Sequence, residues 1–542
     1  MTIQSPTAED GGAVDAKPLA VARKSKIASL AGRVRAEIVS LRRRWPGPFV
    51  AGALAVLLAA AYLLAPPMGR DLSAQLAHAQ LAESQWPALL NLRWYGGFDP
   101  LGYSVLSPAV MALLGVCLTT ALAYLLSVVL FATLLKETAV ARPVPGAIAA
   151  AVCLTGNLVT TRTTFALGLG LGLGALLALV KGRVAIASVL SALAALSSPV
   201  AGLFSGVAGG ALFFSGRRRG GVALAVSGLV PTMAVGAAFG NGGYQTFATK
   251  HALMGFLVCL IVAGLCWRCR VVRWGAFLSG GLVAAAYLVP TPVGTTVTRL
   301  PELFAAPIVV AIAPFSLVAV GAATAGVALL LPPASLTEVQ ERGDPALSSQ
   351  FYAPLLDQLV TRGVDGRVEV VPTLRRGEAA AVARVVPIAR GWSRPADTGR
   401  NPIFYNGTLN GNTYRRWLDD NAVSYVALSN GPYDWAAPVE ANLVRGGLPY
   451  LHKVWSNDAW TLYAVTNPRP VISPAGWVVA QDPVSLTVLL PEPGTYLMRV
   501  HWSRYLSASN GCVRPADGGW STVVVDQAGP VKIEGSLKPR HC

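Results

Sequence analysis

Between Phe49 and Pro333 the chain consists of long uncharged apolar runs separated by tight clusters of lysine and arginine, and few folds accommodate that pattern. A lipid bilayer is the solvent such runs match. About 20 consecutive apolar residues cross its hydrocarbon core as a helix, with every backbone polar group satisfied inside the segment. Composition agrees: 53% of residues are hydrophobic and only 13% are charged, against roughly a quarter charged in soluble domains. The formal charge of +17 does not imply a nucleic-acid partner. Most of the basic residues lie in the N-terminal tail or between apolar runs, where retention on the cytoplasmic face of a membrane explains them better than phosphate binding does.

Residues 1–46 form a basic, partly disordered cytoplasmic tail that includes Lys24, Lys26, Arg33, Arg35 and Arg42 to Arg44. The first apolar run, Phe49 to Ala65, has no small-residue cleavage site after it and acts as an uncleaved anchor. Basic clusters then mark the cytoplasmic turns. Lys136 and Arg142 close the second run (Ser107 to Leu135), Lys181 and Arg183 the fourth, Arg217 to Arg219 the sixth, and Arg268, Arg270 and Arg273 the eighth. A ninth run, Trp274 to Val289, ends outside. The run from Phe304 to Leu331 is long for one helix and short for two. A hairpin beginning near Arg299 and broken at Pro314 returns the chain to the outside and gives about eleven spans. The transmembrane domain is thus 47–333, with a first outer loop at 66–107.

Residues 334–542 have ordinary polar content and are placed outside the membrane, with the N-terminus inside. A helix over Leu347 to Thr361 precedes strand-like runs at Arg367 to Pro372, Val382 to Ile388, Val423 to Leu428 and Trp460 to Val465. Two hairpins are expected after these, Val484 to Trp502 and Ser521 to Ile533, turning at Pro491 to Gly494 and at Gly529-Pro530. The expected fold class is a polytopic α-helical membrane protein whose C-terminal extracytoplasmic α+β domain ends in a small all-β piece. Cys512 and Cys542 share that last exported segment, which suggests one disulfide.

The first outer loop carries the most chemical information. Asp71 stands at the end of the first span and is placed to cap a helix in which Gln75, His78 and Gln85 share a polar face. Trp94-Tyr95-Gly96-Gly97-Phe98-Asp99-Pro100-Leu101-Gly102-Tyr103 then leads into the second span, with Asp99 in a turn-like setting. A first span ending in an acidic residue, a juxtamembrane helix and this approach to a Pro-started second span together resemble the GT-C superfamily. Its members are membrane glycosyltransferases that use polyprenyl-phosphate sugars, among them the actinobacterial arabinofuranosyl- and mannosyltransferases. The resemblance implies that Asp71 is the catalytic base, taking the proton of the acceptor hydroxyl as the anomeric carbon is inverted. No D-x-D pair occurs in the loop, unlike in the metal-dependent members. A monophosphate donor handled without metal or cofactor is therefore expected.

A leaving phosphate gains charge in the transition state and needs fixed cations at the outer surface. Arg162, at the turn between the third and fourth spans, and Arg299, at the start of the tenth, are the candidates, with snorkelling to lipid headgroups as the alternative. Lys250, beside His251 at the start of the eighth span, could support them, and Glu302 could pair with Arg299. Gly168, Gly170, Gly172 and Gly174 look like a phosphate loop, but they lie in an apolar run and read as close helix packing. Asn406-Gly407-Thr408 reads as a turn. Trp417, Trp435, Trp455, Trp460 and Trp520 could stack on sugars or fill a core.

The functional expectation is a multi-pass cell-membrane glycosyltransferase. It would move a sugar from a polyprenyl-phosphate donor to an envelope glycan or lipid acceptor on the outer side, contacting membrane lipids and no nucleic acid. A secondary transporter and a non-catalytic envelope scaffold are the alternatives. A transporter would call for broken helices and charges near the midplane, and about eleven spans exceed what an anchor needs.

Overall fold

The structure, a computed structural model, describes residues 46–332 and 335–542; the basic tail lies outside the described residues. Among these, six helices are long and apolar enough to cross a membrane: Pro46–Leu64, Val116–Glu137, Thr163–Val180, Arg218–Phe239, Arg270–Leu288 and Gly294–Ile312. Five shorter apolar helices accompany them: Pro143–Val159, Val184–Ser197, Pro199–Phe214, Thr249–Leu265 and Leu317–Leu330. The chain is thus a polytopic helical protein with a polar, β-rich C-terminal part. Small residues bring the helices together: Ala51, Ala55, Ala147, Ala150, Ala151 and Ala194 are all fully buried. A Cβ at Gly168 would lie 2.6 Å from the Cβ of Ala201, so that glycine serves close packing.

Two breaks in the apolar runs are informative. The expected second span divides at Gly115, whose φ of +80° a residue with a Cβ rarely adopts. Ser107–Leu114 is therefore a separate short helix and the long one starts at Val116. The tenth run breaks at Ala313 to Ser316, around Pro314. Arg142, in the same turn as Lys136, holds that break by donating to the carbonyls of Val310, Ala313 and Phe315. The break thus lies at the basic end of the helices, and the following helix leads back to the end where Asp71 stands.

The C-terminal part has two layered pieces. In the first, β1 (Arg367–Val370), β2 (Val423–Ser429), β3 (Leu451–Ser456) and β4 (Trp460–Val465) form a sheet of order β1-β2-β4-β3. β1 and β2 are parallel and the other pairs antiparallel. Both faces are covered. One packs on Tyr352, Leu355 and Leu359 of the helix Ser349–Arg362, the other on Tyr414, Trp417 and Leu418 of the helix Gly411–Asp420. Trp94, Tyr95 and Phe98 of the first outer loop are buried in the first of these cores, so the loop is part of the domain above it. Val382 to Ile388, expected as a strand, follows a helical turn, Glu378–Ala381, and contributes only one bridge, Ile388 to Val368. Its buried Val382 and Val386 are four residues apart, a spacing that serves a helical turn as readily as alternation serves a strand.

The last piece is a sandwich of two four-stranded sheets around one core, of order β10-β11-β8-β5 and β6-β7-β12-β9. The strands are β5 (Ile472–Ser473), β6 (Trp477–Gln481), β7 (Ser485–Leu490), β8 (Gly494–His501), β9 (Leu506–Ala508), β10 (Cys512–Pro515), β11 (Trp520–Val525) and β12 (Gly529–Gly535). The two expected hairpins are corrected here. β7 and β8, like β11 and β12, lie in opposite sheets, so each connection arches over the core. Cys512 and Cys542 are disulfide-bonded, with Cα atoms 5.1 Å apart. Asn406 forms a turn in which its Oδ1 accepts from the N–H of Thr408 at 3.1 Å.

Candidate active site

The first outer loop is stapled to the turn between two apolar helices. Thr161, with φ of +53°, donates its hydroxyl to the carbonyl of Met68 at 2.9 Å and receives the hydroxyl of Tyr62 at 2.9 Å. Three residues after Met68, the N–H of Asp71 donates to the carbonyl of Thr160 at 3.2 Å. Gly69 makes this fit possible. Its φ is +114°, and a Cβ there would lie 2.5 Å from the Thr161 hydroxyl and 2.8 Å from the Thr160 carbonyl carbon.

This staple sets Asp71 beside Arg162. Asp71 precedes the helix Leu72–Ser84, but its side chain makes no capping hydrogen bond, contrary to expectation. Its carboxylate instead lies 3.5 Å from Nε of Arg162 and 3.8 Å from Nη2 of Arg299. Opposite charge outcompetes the cap. Arg162 immediately precedes the helix Thr163–Val180 and Arg299 begins the helix Arg299–Ile312, so two helix N-termini add their positive ends to the two guanidinium groups. Arg299 also lies over the ring of Phe165, 5.3 Å from its centroid. All three side chains keep some contact with solvent, at 12% to 20% exposure.

The other expected residues divide. Gln75 and His78 are buried, not on a polar outer face: Gln75 donates to the hydroxyl of Tyr103 at 2.6 Å, and the His78 ring stacks on Tyr103 at 4.5 Å. Burial lowers the His78 imidazole to about 4, so it is a neutral wall. In the sequence Tyr103 is only the last residue of the run from Trp94 that leads into the second span, with no role of its own. Burial and then the charge of Asp71 raise its phenol above the usual range, and the only signal was its place just before the second span. Glu302 accepts from the hydroxyl of Thr298 at 2.6 Å, while the ion pair of Arg299 goes to Asp71. Lys250 is exposed, and no ion pair or hydrogen bond links it to Asp71 among the described residues. Asp99 serves a different joint. Its main chain exchanges two 2.8 Å hydrogen bonds with the Asn241 side chain, and burial raises its carboxyl to about 6.

The C-terminal domain covers the site. Arg70 gives its N–H and its guanidinium to the buried Glu338, which also pairs with Arg375 at 3.0 Å. The indole of Trp392 donates to the Arg70 carbonyl at 2.9 Å, and the Ser73 hydroxyl donates to the Arg375 carbonyl at 3.0 Å. Below the site lies a cavity of about 840 Å³ whose lining is mainly apolar. Gly168, Leu173 and Val180 line it from the helix that follows Arg162, and Leu300, Phe304 and Ile312 from the helix that begins with Arg299. Arg217 to Arg219 and Cys269 stand at its far end. The arrangement offers a carboxylate, two partly exposed guanidinium forks and an apolar cavity lined by the helices that the two arginines head, with none of these three charged residues in its wall. Among the described residues no group of three or more His, Cys, Asp or Glu side chains is placed to hold a metal ion.

No protein-family model and no curated protein matches the sequence. Solved structures with a similar chain path include the Archaeoglobus fulgidus oligosaccharyltransferase tethered with an acceptor peptide containing the NVT sequon. That likeness has a TM-score of 0.44 at 10% identity and covers 79% of this chain and 75% of that one. ArnT from Cupriavidus metallidurans is also similar, in the apo state at 12% identity and bound to undecaprenyl phosphate at 13%. Both likenesses have TM-scores of 0.44 and cover 77% of this chain and 97% of that one.

Proposed function

We propose that the chain is a glycosyltransferase of GT-C type that transfers a sugar from a polyprenyl-phosphate donor to an envelope glycan or lipid acceptor. Transfer takes place on the outer side of the cytoplasmic membrane, the N-terminal tail being cytoplasmic and residues 334–542 outside. One observation carries this reading. The two arginines that face Asp71 stand at the heads of the two helices whose bodies line the apolar cavity. A ligand with an anionic head and a long apolar tail suits that pairing of two cations with an apolar cavity.

In this reading the phosphate sits on the forks of Arg162 and Arg299, and the isoprenoid chain runs down the cavity. The acceptor hydroxyl approaches from the side of Asp71. Its oxygen forms a bond to the anomeric carbon while the carbon–oxygen bond to phosphate breaks, the electron pair leaving on the phosphate and the proton passing to Asp71. The two guanidinium groups meet the charge that grows on the phosphate. Tyr103, His78 and the roof of Arg70, Glu338 and Trp392 hold the segment that carries Asp71 and restrict water.

The test is transfer of labelled sugar by purified protein in lipid nanodiscs from a panel of polyprenyl-phosphate donors, beside donor binding. Transfer with at least one donor, abolished by a competing polyprenyl phosphate, is expected. Absence of both transfer and donor binding across the panel would leave the transporter and scaffold readings in its place.

A further inference from the structure

In the outer domain, the guanidinium of Arg394 is surrounded by three aromatic rings. Its Cζ lies 4.9 Å from the ring centroid of Trp435, 5.3 Å from that of Trp392 and 5.9 Å from that of Tyr405. Beneath them lies a compact charge block. Asp434 accepts from Arg394 at 2.7 and 3.1 Å and from Arg376 at 3.3 Å, while Asp397 accepts from Arg376 at 3.1 Å and from the Tyr405 hydroxyl. Two guanidinium groups thus face two carboxylates, and the adjacent arginines hold Asp434 below the usual carboxylate range against its burial. The block balances two positive charges with two negative ones, and Nε of Arg376, which has no hydrogen-bond partner among the described residues, is buried within it. It fixes the rings and leaves no free cation for a phosphate or an acidic ligand.

Of the three rings Trp435 is the accessible one, while Trp392, which also lies 5.1 Å from the Arg376 guanidinium, and Tyr405 are half-buried at its side. Trp435 is 61% exposed although Arg394 lies over its ring and Tyr405 meets its edge at 5.9 Å. A large apolar side chain held rigid and left open is suited to stacking on a partner at little entropic cost. Topology independently marks the same place. Arg376 lies on the segment that leaves the carboxyl end of β1, Asp434 and Trp435 on the segment that leaves the carboxyl end of its parallel neighbour β2, and Thr373 bridges Tyr433 between the two. The carboxyl ends of parallel strands are where α/β sheets receive ligands. Trp392 connects the cluster to the proposed active site, since its indole is hydrogen-bonded to the carbonyl of Arg70, the residue before Asp71.

We propose that Trp392, Tyr405 and Trp435 form a shelf that binds neutral sugar rings of the acceptor glycan, next to the ring whose hydroxyl reaches Asp71. The proposal rests on the glycosyltransferase reading for the identity of its occupant. Neutral carbohydrate is favoured because ring faces stack on C–H groups of sugars, and because the charge block below is already balanced.

The test uses the full chain in nanodiscs, titrated calorimetrically with maltohexaose, mannohexaose and arabinohexaose, and separately with a polyprenyl phosphate. At least one oligosaccharide should bind, and Trp435→Ala should weaken it about tenfold, with Trp435→Phe recovering most of the loss. In transfer assays Trp435→Ala should raise KM for the acceptor more than it lowers kcat and leave the donor's KM unchanged. Failure of all three sugars to bind the wild type, or equal affinity in Trp435→Ala, overturns the shelf. So does a Trp435→Ala defect confined to contact with lipid, which would make the ring a membrane anchor. Polyprenyl phosphate binding in the same samples reports on the active-site reading separately, so either can fail alone.

Discussion

Nε of Arg162 lies 3.5 Å from the Asp71 carboxylate and has no hydrogen-bond partner among the described residues. The pair is an ion pair by proximity, with its donors not committed. A phosphate can therefore take over the arginine while the carboxylate is left to accept a proton, which is the division of labour a displacement at an anomeric carbon needs.

Replacing Asp71 by Asn keeps the shape of the side chain and removes its ability to take a proton. Turnover should fall about 100-fold or more, while affinity for a polyprenyl-phosphate donor holds or rises because a competing negative charge is gone. No cap hydrogen bond is lost, so a fall in thermal stability would report the lost ion pairs to Arg162 and Arg299. Undiminished transfer by Asp71→Asn would remove it as the base.

Arg299→Ala should weaken donor binding about tenfold or more and lower turnover as well, because a charge-assisted contact to the phosphate is lost in both states. Lys should restore only part, lacking the planar fork. Arg162→Ala should behave similarly. Wild-type kinetics in either alanine variant would assign that arginine to lipid headgroups.

Gly69→Ala tests the staple rather than the chemistry. The added Cβ would be forced against the Thr160–Thr161 backbone and hydroxyl, at a cost of about 1 to 3 kcal/mol. The relief is a shift of the loop that carries Asp71. Lost turnover with donor binding largely kept is the expected pattern, and unchanged turnover would show that Asp71 finds its position without Gly69.

Asp99 gives a pH signature that is independent of catalysis. Burial holds its carboxyl up at about 6, with Ser503, Arg400 and Arg504 opposing. The folded state then binds more protons than the unfolded chain between about pH 4 and 6, so stability falls as pH rises through that window. Asp99→Asn should raise stability at neutral pH by about 1 to 3 kcal/mol and have little effect near pH 4. The Tm of both proteins at the two pH values decides it, and the same difference at both would show that Asp99 ionises without cost.

The Cys512–Cys542 bond, which closes a loop across 30 residues of separation, should add about 2 to 4 kcal/mol to the sandwich. Without reductant the two thiols should resist alkylation. Two free thiols in freshly purified protein would refute both the bond and an exported domain.

Much of the helical part could be read in the chain, because apolar runs and basic clusters act locally and the break at Pro314 follows from length. Asp71, Arg162 and Arg299 could each be picked out, but not their meeting. That meeting depends on Gly69 and on Thr160 and Thr161, whose hydrogen bonds reach across the chain and leave no periodic trace. The arches at β7–β8 and β11–β12 were invisible for a related reason. Alternation shows which residues face a core, and Leu486, Val488, Met498 and Val500 face the same core in a hairpin or across two sheets. The Arg394 shelf depends on ring positions brought together by three separate segments, and among its rings only Trp435 had drawn notice.

The burial of Trp94, Tyr95 and Phe98 among residues of the outer domain bears on any attempt to simplify the protein. Cutting the chain after Leu331 would leave these three rings, with His78 and the Arg70 that pairs with Glu338, facing water on top of a helical bundle. Such a fragment would be insoluble or misassembled above the bilayer, and the outer domain made alone would lack part of its own interior. The two parts are separate in sequence but share one interior, so dissecting this protein calls for point substitutions in place of truncation.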